Sequence, residues 1–139
     1  MEPWLLYSLL AMLFAGLTSI LAKVGLKDIS SDLGLAIRTG VVFIIVIANS
    51  FLLGNVNEIG KLTPKTILFL VISGITTSLS WIFYYRAMKL GKVSYVATID
   101  KGSIVITLML SFLLLKEPLT LKLISGAILI ISGLIVIAS

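Results

Sequence analysis

Asp100 and Lys101 stand side by side within one apolar run, and Arg38 stands alone within another. Ionisable side chains at membrane depth are costly, and chains that keep them there use them to pair, to bind solutes or to relay protons. Nearby in sequence lies Trp81-Ile82-Phe83-Tyr84-Tyr85-Arg86, whose rings offer stacking and cation–π surface. Asp100 is a candidate to bind a cationic substrate group or a coupling proton, with Arg38 or Lys23 as candidate partners. Neighbouring positions on a helix point about 100° apart, so Asp100 is expected to face inward while Lys101 faces inward or snorkels. The positive excess around Asp100 argues equally for an anionic or zwitterionic substrate, and the sequence leaves that sign open.

Other chemistries find little support. The chain has no histidine and no cysteine, which removes the commonest metal ligand, the commonest general base and any thiolate. Asp100 and Glu117 fall at opposite ends of one segment and cannot form a catalytic dyad. No GxxxxGK[ST] phosphate cradle occurs, so ATP-driven chemistry is not expected. The reading is of a protein that is not an enzyme and needs neither a cofactor nor a metal.

These residues must be positioned by helices in lipid. Hydrophobic residues make up 59% of the 139, charged residues 12%, and the mean hydropathy is +1.19, more apolar surface than a soluble fold of this size can bury. The net charge of +5 comes from eleven Lys and Arg scattered singly, a pattern of membrane loops and not of a nucleic-acid face. The N-terminal run lacks a positive leader, so a retained helix is expected over a cleaved signal.

A bilayer core takes about 20 apolar residues per helix. Five such segments are predicted, at about 3–24, 33–53, 66–90, 94–115 and 120–138. Short links join them, Asp32 is a plausible N-cap for the second, and breakers fill the loop Gly54–Lys65. The predicted fold is an all-α membrane protein, one domain over 1–139 forming a compact bundle of five transmembrane helices with short hairpin loops.

Helical spacing gives the segments polar faces. Ser73, Thr76, Thr77, Ser80 and Tyr84 share one side of the third, with Thr77, Trp81 and Tyr85 at i+4 beside it. Asp100, Ser103, Thr107 and Ser111 repeat the idea in the fourth. Small-residue strips in the first and fifth segments fit close helix packing. The aromatic and ionisable residues of the third and fourth look more like a lining.

Tracing the hairpins places Lys23, Arg38, Arg86, Asp100 and Lys101 near one membrane face, where they could form a polar vestibule. For Lys23 and Arg86 the plainer alternative is snorkelling. Loop cations orient the chain weakly: Lys23, Lys27, Arg86, Lys89 and Lys92 lie on one side, and Lys61, Lys65, Lys116 and Lys122 on the other. Five against four favours a cytoplasmic C-terminus and also permits insertion both ways.

The ordered set Trp81–Ala87, Leu90-Gly91-Lys92-Val93-Ser94, Ile99-Asp100-Lys101, Lys116-Glu117-Pro118-Leu119-Thr120 and the closing SGAILIISGLIVI helix resembles an EamA-type repeat of the drug/metabolite transporter superfamily. The resemblance covers essentially the whole chain. It departs at Thr98, where family members often carry a proline, and in having one repeat where larger members have two of opposite orientation. It implies a secondary transporter, an exporter of a small metabolite or drug-like compound, in the cell membrane. Trp81, Tyr84 and Tyr85 would stack on the substrate, Thr77 and Ser103 would hydrogen-bond it, and Asp100, Lys101 and Arg38 would supply charge. Inverted repeats bind substrate at their interface, so a single repeat is expected to pair as an antiparallel homodimer or with a related partner chain. Its other partners would be membrane lipid and the small-molecule substrate. The alternative is a non-transporting accessory subunit or scaffold, in which the polar stripes would only glue helices together.

Overall fold

Helix starts follow the chemistry of their caps. α1 (Pro3–Gly25) opens on a proline, whose missing N–H costs nothing in a first turn. α2 (Ser31–Leu52) is capped by Ser30, whose hydroxyl accepts from the Leu33 N–H at 3.2 Å. Asp32, the cap expected from sequence, lies two positions further in, where its charge still favours the helix dipole. After α2, Gly54 turns left-handed at φ 70°. The loop beyond it winds into a 3-10 helix, Asn55–Lys61. α3 (Pro64–Leu90) combines a proline start with the Thr63 hydroxyl, which accepts from the Thr66 N–H at 3.2 Å.

The fourth segment differs from the single helix predicted over 94–115. It comprises α4 (Val93–Asp100), α5 (Ser103–Leu110) and a π-helical turn, Ser111–Leu115. At the join the N–H groups of Lys101 and Gly102 reach the carbonyls of Thr98 and Ile99, three residues back, at 3.0 and 2.9 Å. Gly102 permits this tightening. A Cβ there would lie 3.0 Å from the Ile99 carbonyl oxygen and 3.4 Å from Leu134 Cδ1. Beyond the π turn Lys116 is left-handed at φ 56°, and the Ser111 hydroxyl donates to the Glu117 carboxylate. Glu117 thus closes the segment end. α6 (Leu121–Ala138) starts behind Thr120, whose hydroxyl accepts from the Leu123 N–H at 3.3 Å.

The computed structural model describes residues 2–138, and no strand occurs among them. Two units pack separately, one ending at Leu90 and the other beginning at Gly91. In the first, α3 lies against α1 and α2; in the second, α6 lies against α4 and α5. Pro3–Gly25, Ser31–Leu52, Pro64–Leu90 and Val93–Leu115 are long and apolar enough to cross a bilayer, while the apolar stretch Leu121–Ile137 is shorter. Outward-facing Phe43, Phe69 and Leu129 are 66%, 61% and 73% exposed, surface that calls for lipid.

Among the described residues the buried hydrophobics are Leu26, Leu35, Tyr85 and Met88, all at one end of the first unit. Gly34 makes that packing possible, because a Cβ there would overlap Leu26 Cδ2 and lie 3.4 Å from Ile29 Cδ1. Gly34→Val should therefore destabilise the protein by about 1–3 kcal/mol. Gly40→Ala, where an added Cβ meets nothing within 4 Å, should change stability by less than about 1 kcal/mol. Thermal unfolding in detergent measures both, and equal melting temperatures would contradict the Leu26 packing.

Candidate functional site

The last turns of α3 lie against the corner between α1 and α2, and the contact is made by cations. Lys89 Nζ donates to the carbonyls of Leu26, Lys27 and Ile29 at 2.5, 3.0 and 2.9 Å. Lys23 Nζ donates in return to the Met88 carbonyl at 2.6 Å. Each helix end thereby receives the cation of the other. The final carbonyls of a helix lack intrahelical partners and carry the negative end of its dipole, so both lysines are favourably placed. Arg86 pairs with Asp32 through Nε–Oδ1 and Nη2–Oδ2, both at 3.3 Å. Those side chains are 54% and 62% exposed, which holds the pair to under about 1 kcal/mol.

Two helical turns before Lys89, the α3 ring Trp81 lies under Arg38 of α2. The guanidinium Cζ is 3.8 Å from the Trp81 ring centroid and 5.7 Å from that of Tyr85. Cation–π contacts contribute about 0.5–2 kcal/mol each, against about 2.5–3.5 kcal/mol for an arginine at membrane depth. The rings offset much of the cost, but Arg38 Nη1 remains buried with no hydrogen-bond partner. Tyr84 has another task. Its hydroxyl bonds the Ser19 hydroxyl at 2.8 Å, tying α3 to α1, while its ring lies 6.4 Å from that of Tyr85.

Two cavities flank this layer. One, of about 470 Å³, lies between α1 and α2 and includes Thr18, Ile37, Arg38 and Tyr85 in its wall. The other, of about 720 Å³, lies between α2 and α3 and is walled by Asp32, Ser73, Thr77, Trp81 and Arg86 among others. Arg38 and Tyr85 border the first and Trp81 the second, so the stacked layer stands between them. Thr77 and Ser78 donate their hydroxyl protons to the Ser73 and Gly74 carbonyls at 2.8 and 2.9 Å, leaving lone pairs as acceptors.

In the second unit Asp100 pairs with Lys101 at 3.5 Å, with side chains 38% and 64% exposed. Ser103 opens α5, is exposed, and its carbonyl accepts from the Thr107 hydroxyl at 3.0 Å. The first unit thus brings together Arg38, Trp81 and Tyr85, with Thr77 on the adjoining groove. Lys23 and Arg86 lie at the same end, in the contacts given above. Lys89 and Asp32 were missed as site-forming residues. The available signal was a lysine in the last turn of α3 and an aspartate in the first turn of α2.

The profile of the EamA-like transporter family matches residues 2–139. The chain belongs to the EamA-like transporter family. It is also 37% identical over 137 residues to a Sinorhizobium sp protein named "Uncharacterized transporter in cobO 3'region", covering 99% of this chain and 97% of that one. No solved structure matches it. Family and apolar helices together make it an integral membrane protein and a membrane transporter.

Lys89→Met should leave three carbonyls without their donor and cost about 1.5–3 kcal/mol. A double-mutant cycle on Asp32→Asn and Arg86→Gln should return a coupling below about 1 kcal/mol. Unfolding in detergent measures both, and the reverse order would overturn this ranking of the contacts.

Proposed function

We propose that this EamA-family protein is a secondary transporter that carries a small metabolite or drug-like compound outward across the cell membrane, as one half of an inverted-repeat dimer. The observation that carries this reading is the Arg38–Trp81–Tyr85 layer, because its polar and aromatic groups border open space on both sides. Trp81 and Tyr85 offer stacking surface to a solute, with Tyr84 bracing them. Thr77 and Ser103 accept hydrogen bonds. Asp100 binds a cationic group or the coupling proton beside Lys101, and Lys23 and Arg86 set the charge of the mouth.

Charge distribution bears on how one copy is oriented. Within the first unit Lys23, Lys27, Arg38, Arg86 and Lys89 lie towards one end, and Lys61 and Lys65 towards the other. In the copy that follows the positive-inside rule the richer end faces the cytoplasm, and its groove bordered by Asp32 and Arg86 opens to the cell interior. An antiparallel copy presents the same groove to the other side. α6 is assigned as a fifth span, since spans run down to about 17 residues. The dimer follows from mechanics: transport by inverted repeats rocks one repeat against its counterpart, supplied here by an antiparallel copy or a related chain.

The test is transport in proteoliposomes. Asp100→Asn should lower flux at least about tenfold while leaving the amount and oligomeric state of the protein unchanged. Loss of assembly with no separate loss of flux would favour a scaffold. A thiol label on Ser139→Cys, a position outside the described residues, should react from both membrane faces. One-sided labelling would exclude the self-sufficient inverted homodimer.

A further inference from the structure

Arg38 has a hydrogen-bonding atom that no described residue fills. Nη1 is buried without a partner although the guanidinium is stacked 3.8 Å from Trp81. Neighbouring cations at that end are engaged, Arg86 by Asp32, Lys23 by the Met88 carbonyl and Lys89 by three carbonyls. Stacking occupies the face of a guanidinium and leaves its edge N–H groups for an acceptor.

Arg38 also borders a cavity, and the chemistry of that wall selects what the guanidinium can hold there. Its volume of about 470 Å³ is that of a small-molecule site. Leu21, Ala22, Ile29 and Ile37 give it apolar walls, and no Asp or Glu is part of them. The Thr18 hydroxyl proton is already engaged by the Phe14 carbonyl at 2.8 Å. The side-chain donors left in the wall are therefore the Arg38 guanidinium and the Tyr85 hydroxyl. A cation would be repelled, a neutral solute would leave the arginine charge unanswered, and a polyanion would meet a single cation.

We propose that this cavity binds a monoanion with an apolar body, its carboxylate-type head on Arg38 and Tyr85 and its body between α1 and α2. The inference rests on the transporter reading and names its substrate class.

Calorimetry on the purified full chain in phosphatidylcholine nanodiscs tests it, with 3-phenylpropionate and its neutral amide as probes. The carboxylate should bind saturably and the amide at least tenfold more weakly. Arg38→Gln should weaken carboxylate binding about tenfold to a hundredfold. Gly25→Leu should do the same without touching Arg38, because Gly25 borders the cavity and an added Cβ there meets nothing within 4 Å. This second variant decides the matter even if Arg38→Gln does not fold. Equal binding of acid and amide, no saturable binding, or unchanged affinity in either variant would overturn the proposal. Affinity retained in nanodiscs containing phosphatidylglycerol supports a soluble anion, whereas displacement would assign the site to a lipid headgroup and overturn that identification. Binding that persists while no solute is transported would defeat the transporter reading alone. Transport that persists without carboxylate binding would defeat this inference alone.

Discussion

Two lysines exchanged between helix ends hold the first unit in its arrangement. A helix end exposes carbonyls that have no intrahelical partner and carry the negative end of its dipole. Lys23 of α1 meets the end of α3, and Lys89 of α3 meets the end of α1 and the link beyond it. This exchange brings Leu26 and Met88, 2% and 0% exposed, into one buried knot. It also sets the rotation of α3. Trp81, Tyr85 and Lys89 follow one another at i+4, so the face that carries the anchor also carries the aromatic site. Anchoring and the aromatic layer are consequences of one stripe.

The contacts around that stripe differ in strength, and the difference suits a protein that must change shape. The lysine caps hold four backbone carbonyls at the helix ends and the link beyond them, two of these contacts part-buried. The Arg86–Asp32 pair is half exposed and opens at little cost. In the second unit the hydrogen-bond pattern tightens at Lys101–Gly102 and widens over Ser111–Leu115. Such departures from α geometry mark places where a helix bends or adjusts.

Much of the membrane character was legible in the residues alone, because apolar length is a one-dimensional property. Arg38 and the Thr77–Trp81–Tyr85 line were legible too, since a lone charge in an apolar run and an i+4 aromatic line need no tertiary information. What escaped were contacts that depend on where a neighbouring chain turns. Lys23 and Arg86 look like ordinary interfacial cations until Met88 and Asp32 are placed beside them. Ser30 and Asp32 are both cap-forming residue types, and the extended backbone at Ser30 (φ −69°, ψ 152°) makes it the cap. The break after Asp100 depends on Gly102 approaching Leu134, thirty-two positions away, so a continuous helix was the natural expectation.

The account turns on Trp81 facing the Arg38 layer and not the acyl chains. The chain has two tryptophans, so a Trp4→Phe background leaves Trp81 as the sole reporter. Its fluorescence should be quenched by aqueous acrylamide and largely spared by lipids brominated along their acyl chains. Strong quenching by the brominated lipid, with little effect of acrylamide, would place Trp81 on the lipid face and contradict the arrangement from which the function is argued.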